Sequence, residues 1–257
     1  MLSAGRVLRP ADIGLLAGLG VTAVAVARRP RVAIISTGDE LVGPEEMPGP
    51  GQVRNVNQYS LGAWVRHLGG EPLLLGRVRD NTEEILALTR RAVADADLVL
   101  ISGGSSAGAR DLTRAVIERL GEPGLLYHGI AVRPGKPTVV GAHRGVPVFG
   151  LPGHPVSAMV IFLVLVRPLL ERLLGIPPGA AGVKILARLT DNLPSQAGRE
   201  DYYQVALRPG AGGMEALPVF RKSGLVTAMV RGRGMVRVAP EREGLEAGEL
   251  VEVDLLA

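Results

Sequence analysis

Apolar β-type runs alternate with helical segments from about residue 30 to residue 175, and this alternation constrains the fold more than any other feature. The clearest runs are Arg31–Ser36, Leu73–Val78 and Asp97–Ile101, each followed by a segment with helical periodicity. Strands that alternate with helices require crossover connections, which favour parallel pairing. We therefore expect an α/β domain built on a doubly wound, mostly parallel sheet.

The segments between these runs carry helix start and stop signals. Helices are predicted at about Val56–Leu68, from the cap at Asn81 or Thr82 to Ala94, and at about Leu112–Leu120. Two short strands, Thr138–Gly141 and Val146–Leu151, then precede a long apolar helix. That helix begins at Pro155, should kink at Pro168 because proline lacks a backbone donor, and stops at Gly175.

The periodicity changes after Ile176-Pro177-Pro178-Gly179, where short alternating β runs replace the helices. A small all-β barrel is the simplest interpretation. The runs are Val183–Leu189, Tyr202–Leu207, Met214–Val219, Met235–Val238 and Leu250–Leu255. We divide the chain into an amino-terminal linker region (1–29), an α/β domain (30–176) and the barrel (177–257).

The amino terminus superficially matches a secretory signal peptide, because Arg6 and Arg9 precede an apolar stretch. Asp12 and several glycines interrupt that stretch, so we favour a helix from Pro10 followed by a strand that ends near Val26.

Composition excludes several function classes. There is no cysteine, which rules out disulfides, iron–sulfur clusters and thiolate zinc sites, and the histidines lack zinc-ligand spacing. A net charge of +4 with 3% aromatic residues suits anionic small molecules better than nucleic acid. The longest apolar run, Ala158–Val166, is about half of a bilayer span, so no membrane helix is predicted. A cytoplasmic location is compatible with this composition.

Acidic residues follow three different predicted strands: Asp39 or Glu40, Asp80 and Asp111. The carboxyl ends of parallel strands share one edge, so the fold would bring these acids together. Three carboxylates at one edge suit a hard cation such as Mg²⁺. The alternative is that Asp80 and Asp111 only initiate turns and cap helices.

A glycine loop, Gly103-Gly104, follows the third strand and could cradle phosphate with its backbone N–H groups. No P-loop or dinucleotide fingerprint is present. The sequence Gly104-Ser105-Ser106-Ala107-Gly108 also matches the serine hydrolase elbow G-x-S-x-G. That alternative is weak, because such enzymes need an acid and then a histidine downstream of the serine. The last histidine is His154, and Asp111 lies only five residues from Ser106, which leaves little room for a separate triad acid.

A stiff basic segment, Arg133-Pro134-Gly135-Lys136-Pro137, holds two cations three residues apart. It suits a bound oxyanion, and the alternative is an exposed basic turn.

These loops together resemble the molybdopterin molybdenumtransferase family, which includes the E domain of gephyrin. The motifs that carry the resemblance are Ser36-Thr37-Gly38-Asp39-Glu40-Leu41, Asn55-x-Asn57, Arg79-Asp80, Ser102-Gly103-Gly104-Ser105 with Asp111, Arg133 to Pro137, and Leu151-Pro152-Gly153-His154-Pro155-Val156-Ser157-Ala158. They occur in order and cover nearly the whole chain.

The resemblance implies insertion of molybdenum from molybdate into adenylylated molybdopterin, with release of AMP and with Mg²⁺ present. Glu40, Asp80 and Asp111 would be the catalytic and metal-binding acids. Residues that would bind the pterin and its phosphate are Thr37, Gly38, Asp39, Ser102, Gly103, Gly104, Ser105, Pro152, Gly153, Pro155 and Ser157. Residues that would bind molybdate are Arg133, Lys136, Pro137, Arg199 and Ser223.

The resemblance also implies a homodimer. The composition and the short apolar runs predict a cytoplasmic protein that binds neither nucleic acid nor membranes. Family members usually begin with a further amino-terminal domain, of which residues 1–29 would be the tail. The chain departs from the family pattern at His154, where asparagine is common, at Arg133, where lysine is usual, and at Gly129, where some members have lysine. Two other functions stay open: a pterin-binding or scaffold fragment without catalysis, and an activity like that of molybdopterin adenylyltransferases.

Overall fold

The computed structural model describes residues 2–3, 5–103, 107–177, 182–219 and 226–256, without the side chains of residues 107–111, 226, 228 and 229. The first part of the chain alternates strands with helices. The strands are β1 (Arg31–Thr37), β2 (Leu41–Val42), β3 (Val53–Arg54), β4 (Glu71–Val78), β5 (Leu98–Gly103), β6 (Pro123–His128), β7 (Val132–Arg133), β8 (Val139–His143) and β9 (Val146–Pro152). The helices are α1 (Pro10–Gly18), α2 (Asn57–His67), α3 (Thr82–Asp95), α4 (Ala107–Glu118), α5 (Pro155–Ile161) and α6 (Arg167–Leu173).

The sheet of the α/β part has the order β4-β1-β5-β9-β8-β6 within the described residues. Strands β4, β1, β5 and β9 run parallel, whereas β8 pairs antiparallel with both of its neighbours. Helices cover both faces: Val32 and Ile34 of β1 belong to the apolar cluster that includes α2 and α5 residues, and Ala33 and Ile35 belong to the cluster that includes α3 and α4 residues. The predicted doubly wound, mostly parallel sheet is confirmed.

A π-helical turn, Phe162–Val166, joins α5 to α6 and lies immediately before Pro168. Because Pro168 has no N–H, the carbonyl of Val164 cannot receive its α-helical hydrogen bond. The irregularity predicted at this proline is therefore a π-helical turn of a continuous, largely buried helix.

The carboxyl-terminal part of the chain forms a closed barrel. Its strands are β10 (Lys184–Leu189), β11 (Leu193–Pro194), β12 (Glu200–Gly210), β13 (Gly213–Pro218), β14 (Gly234–Val238), β15 (Gly244–Leu245) and β16 (Leu250–Leu255), and α7 (Val226–Arg231) lies between β13 and β14. The order β13-β10-β16-β14-β12 closes through pairing of β12 with β13. The short strand β7, which lies between β6 and β8 in the chain, adds to β12 of the barrel in parallel. Backbone hydrogen bonds therefore attach this segment of the α/β part to the barrel.

The strand predicted in residues 1–29 is wrong. The predicted helix is present as α1, but residues 21–30 form no strand, and Val21, Val24 and Val26 are exposed. A strand needs a neighbour to satisfy its backbone groups, and the described residues supply none here. Local β propensity alone was therefore misleading.

Other helices and strands begin or end a few residues away from their predicted positions. Helix α4 begins at Ala107, five residues before the predicted start at Leu112, and the edge strand β6 was not predicted at all. In the described part of the chain, no helix is both long enough and apolar enough to span a bilayer.

Candidate functional site

The parallel strands end in one row, which defines the edge of the sheet where a site can form. Thr37 is in register with Val78 on one side and with Gly103 on the other, and Gly103 is in register with Pro152. The chain leaves β1 towards β4 and later returns to place β5 on the opposite side of β1. The topological switch point therefore lies between the ends of β1 and β5, where open α/β sheets bind ligands.

Acidic residues meet at the β1 and β4 end of this edge. The backbone N–H of Asp80 donates to Asp39 Oδ1 at 3.3 Å, and the N–H of Gly38 donates to the carbonyl of Val78 at 3.2 Å. Burial raises the pKa of Asp80, and the neighbouring charges of Glu40 and Asp39 raise it further. Three of the predicted acids are thus close enough to interact electrostatically.

Asp80 does not cap a helix, so the capping alternative for this residue is wrong. The cap of α3 is Asn81, whose Oδ1 accepts from the N–H groups of Glu83 at 2.9 Å and Glu84 at 3.2 Å. Asp80 Oδ1 is instead buried with no hydrogen-bond partner among the described residues. A buried carboxylate oxygen without a donor, beside two other acids, is a poor structural element and a good cation ligand.

Several predicted residues lie outside the described part of the chain. Gly104, Ser105, Ser106 and Ser223 are among them, and Asp111 lies in α4 but its side chain is not described. Among the described residues, no group of three His, Cys, Asp or Glu side chains could hold a metal ion. The three-acid cluster that includes Asp111 therefore stays a prediction.

Gly103 permits the close approach of β5 to β1 at the switch point. A Cβ atom on Gly103 would lie 1.8 Å from Thr37 Oγ1 and 2.5 Å from the Thr37 carbonyl oxygen. Thr37 and Ser102 are both buried at this level. The glycine is thus required by backbone proximity, and the predicted phosphate loop begins at the point of closest approach.

A buried amide, Asn57, connects three elements beneath the edge. Its Nδ2 donates to Ser102 Oγ at 2.7 Å and to the carbonyl of Gly153 at 2.8 Å. A carbonyl can only accept, so the orientation of the amide is fixed. Asn57 Oδ1 is then left buried with no partner in the described residues. No role was predicted for Asn57 from the sequence, although an amide in the Asn55-x-Asn57 motif is a hydrogen-bonding group that a buried position would need to satisfy.

The β9 side of the edge carries the wall residues that the resemblance implied. Pro152 ends β9, Gly153 accepts from Asn57, and Pro155 begins α5. Ser157 is buried in the first turn of α5. These residues adjoin the switch point, so the structure brings them together with Thr37, Gly38 and Ser102.

The basic segment, Arg133 to Pro137, lies at the same edge of the sheet, although the strand that follows it, β8, runs in the opposite direction to the parallel strands. Because β8 is antiparallel to β9, with Val139 opposite Gly150, the residues before Val139 lie beside the carboxyl end of β9. Strands β1 and β8 are about 14 Å apart, which is three interstrand spacings. The acids and the basic segment thus occupy opposite ends of one edge.

A cavity of about 410 Å³ lies where this segment meets the barrel. It is lined by Ile130, Ala131, Val132, Arg133, Lys136, Gln196, Ala197, Gly198 and Arg199. Thr138 Oγ1 donates to the Gly135 carbonyl at 2.7 Å and holds the turn in shape. Three of the predicted oxyanion ligands, Arg133, Lys136 and Arg199, therefore share one cavity.

A buried carboxylate beside this cavity was not anticipated. Asp201 is 1% exposed and accepts from Arg199 Nε at 2.8 Å, and Arg133 Nη1 lies 3.5 Å from its other oxygen. An available signal was the spacing: Arg199 and Asp201 stand two positions apart at the start of a strand, where alternate residues share a face.

The fold and the site define a class of protein, an α/β ligand-binding domain followed by a barrel, and comparison with known proteins identifies the family. Residues 33–172 match the family described as "Probable molybdopterin binding domain", and residues 186–256 match "MoeA C-terminal region (domain IV)". The first match covers more than half of the chain, so the chain belongs to this molybdopterin-binding family, and the resemblance to molybdopterin molybdenumtransferases is confirmed.

Similar proteins agree with this assignment. The chain is 35% identical over 99% of its length to the molybdopterin molybdenumtransferase of Haemophilus influenzae, and 39% identical over 79% of its length to that of Nostoc. A crystal structure titled as the molybdopterin biosynthesis moea protein of Pyrococcus horikoshii superposes with a TM-score of 0.85 at 41% identity, over 98% of this chain and 60% of that one. The chain spans 63% of the Haemophilus protein and 47% of the Nostoc protein.

Proposed function

We propose that this chain acts in molybdenum cofactor biosynthesis as a molybdopterin molybdenumtransferase. It would insert molybdenum from molybdate into adenylylated molybdopterin and release AMP. The observation that carries this proposal is the arrangement of one sheet edge, with acids at the β1 and β4 end and the basic segment that lines the cationic cavity leading into β8, three strands away from β1. An elongated substrate with a pyrophosphate and a separate reacting group suits such an edge.

Asp80, Glu40 and Asp111 would hold Mg²⁺ at the acidic end. The fit rests on Asp80, whose buried Oδ1 lacks a donor in the described residues and whose pKa is raised by burial, Glu40 and Asp39. A bound cation would relieve that repulsion, and it would polarise the mixed anhydride between AMP and the pterin phosphate. Asp39 would orient the loop through its contact with the Asp80 N–H.

The middle of the edge would bind the pterin and its phosphate. Backbone N–H groups of the loop at Gly103, Gly104 and Ser105 would face the phosphate, as in other glycine-rich loops before helices. Thr37, Gly38 and Ser102 would line the same pocket, with Pro152, Gly153, Pro155 and Ser157 forming its wall. Asn57 Oδ1, which is buried without a partner in the described residues, would accept a hydrogen bond from an N–H group of the pterin.

The cationic cavity would bind molybdate. Arg133, Lys136 and Arg199 line the cavity and a single buried carboxylate, Asp201, pairs with the two arginines, so the group has a formal excess of two positive charges that matches a tetrahedral dianion. Pro137 would keep the segment stiff, and Ser223 would complete the site. Tungstate has the same shape and charge and should compete. Positioning and charge neutralisation would supply most of the rate enhancement.

The remaining family expectations belong to the same proposal. They are an amino-terminal linker region at 1–29, an α/β domain at 30–176, a barrel at 177–257, a homodimer, and a cytoplasmic location.

The first test is AMP release from adenylylated molybdopterin by the purified chain, with and without molybdate and Mg²⁺. Release should require both ions and should be abolished in Asp111→Asn. Asp95→Asn is the matched control, because Asp95 is exposed at the carboxyl end of α3, on the opposite edge of the sheet.

Two outcomes would contradict the proposal. Binding of the pterin without AMP release would show a binding or scaffold function instead. Formation of adenylylated molybdopterin from ATP, without molybdate dependence, would show an adenylyltransferase activity.

A further inference from the structure

Asp201 is a buried carboxylate shared by two arginines that come from different parts of the fold. Arg199 Nε lies 2.8 Å from Oδ1 and Arg199 Nη2 lies 3.4 Å from Oδ2, while Arg133 Nη1 lies 3.5 Å from Oδ2. The Asp201 side chain is 1% exposed, whereas 60% of Arg133 and 30% of Arg199 remain accessible. The acid is therefore anchored, and the guanidinium groups still reach the cavity.

The backbone places these groups together. In the parallel pairing of β7 with β12, Asp201 is in register with Arg133, and the Glu200 N–H donates to the Ala131 carbonyl at 2.9 Å. The neighbouring side chain, Glu200, points away and pairs with Arg237 and the Tyr202 hydroxyl. Asp201 is thus the acid that faces the cavity-lining arginines from this strand.

We propose that Asp201 is a positioning residue for oxyanion binding, an inference that rests on the proposed function of the cavity. It holds two otherwise flexible guanidinium groups at a fixed spacing and in fixed orientations. Planar guanidinium groups bind oxyanions through directed, paired hydrogen bonds, so their orientation matters as much as their charge. A carboxylate in contact with the binding cations also lowers the net positive charge of the cavity. Its ordering of the two guanidinium groups must therefore outweigh this loss of charge.

The two possible effects of Asp201 have opposite signs, which makes the inference testable. If the carboxylate only reduced the positive charge, Asp201→Asn would bind molybdate more tightly. If it positions the arginines, the same variant binds molybdate more weakly although the cavity has become more positive.

The experiment is calorimetric titration of the full chain with sodium molybdate. Asp201→Asn is expected to raise the dissociation constant about tenfold, the usual effect of losing a group that orients a ligand-binding residue. Asp201→Glu keeps the charge but moves the carboxylate by one methylene, and it should also weaken binding. In AMP release, Asp201→Asn should raise KM for molybdate while kcat at saturating molybdate stays within about twofold.

The matched control is Glu215→Gln, which breaks an exposed ion pair with Arg208 on the neighbouring hairpin of the barrel. Its molybdate affinity should equal that of the wild type, with thermal unfolding followed for all variants. Unchanged or tighter molybdate binding in Asp201→Asn, or wild-type affinity in Asp201→Glu, would overturn the positioning role of Asp201 and leave the proposed function of the cavity intact. Absence of molybdate binding by the wild-type chain would instead overturn the proposed function of the cavity.

Discussion

Replacing Asp80 with asparagine should stabilise the metal-free protein at neutral pH. Burial and the charges of Glu40 and Asp39 raise the pKa of Asp80, so the folded chain holds this proton more tightly than the unfolded chain does. The stability contributed by the protonated carboxyl is fully present below the unfolded pKa, near 4, and is lost as pH rises through the folded pKa. At pH 7 the charged carboxylate therefore costs stability that the amide does not.

The free energy of unfolding gained in Asp80→Asn is limited because solvent screens the charges around this residue. Asp80 as a residue is only half-buried, so screening keeps the gain from Asp80→Asn at about 0.5–1 kcal/mol. For a chain of 257 residues this raises Tm by roughly 1–4 °C. At pH 3 the two proteins should unfold at the same temperature, because both carry an uncharged group at this position.

Mg²⁺ should make the wild-type protein more stable than Asp80→Asn, the reverse of the order expected without the ion. At a hundredfold excess over its dissociation constant, a ligand stabilises the folded protein by about 2.7 kcal/mol, and the variant should lose most of this gain together with AMP release. The assay is thermal unfolding at pH 3 and pH 7, with and without MgCl₂, with Asp95→Asn as control. A lower Tm for Asp80→Asn at pH 7 without Mg²⁺ would refute the reasoning, because it would mean that the backbone hydrogen bond from Asp39 stabilises the carboxylate more than burial and the neighbouring acids destabilise it. An equal increase in Tm on adding MgCl₂ to both proteins would show that Asp80 is not a ligand of the metal ion.

Three further predictions follow from local geometry. Asn57→Ala removes the unpartnered Oδ1 together with the Nδ2 bonds to Ser102 and Gly153, and pterin affinity measured by titration should fall about tenfold, within the range for lost buried hydrogen bonds. Gly135→Ala places a Cβ 2.2 Å from Ile161 Cδ1 at a positive φ, so molybdate binding should weaken, whereas Gly145→Ala, with a positive φ but nothing within 4 Å, should cost only backbone strain of about 1 kcal/mol. Asn81→Ala removes the cap of α3 and should lower Tm by roughly 2–4 °C, a loss of about 1 kcal/mol, with AMP release unchanged.

The sheet could be predicted because its signals are local. Each buried strand reads as a continuous apolar run, and each predicted acid or glycine loop follows such a run directly. Parallel pairing then places the ends of the runs at one edge, so Thr37, Val78 and Gly103 could be expected at the same level before any coordinates were known. The acidic end of the site follows from this rule alone.

The parts that could not be predicted depend on contacts between distant segments. The two residues of β7 have no strand signal of their own and become a strand because β12 offers an unpaired edge. Asp201 acquires its role from Arg133, which is 68 positions away. The error at Val21 to Val26 has the same origin, since a β-type sequence forms no strand when no edge is available to it.

The cationic cavity therefore requires both halves of the molecule. The segment from Arg133 to Thr138 is fixed at three places: β7 pairs with β12, Gly135 lies against Ile161 of α5, and Val139 enters the sheet beside β9. Two of these contacts are made by the α/β layers, but the first and the carboxylate of Asp201 come from the barrel. Because Arg199 is also a barrel residue, the barrel supplies both a cation and the acid that orients it. The barrel is then part of the proposed binding site, and the pairing of the short strand β7 with β12 connects it to the segment that enters the sheet at Val139.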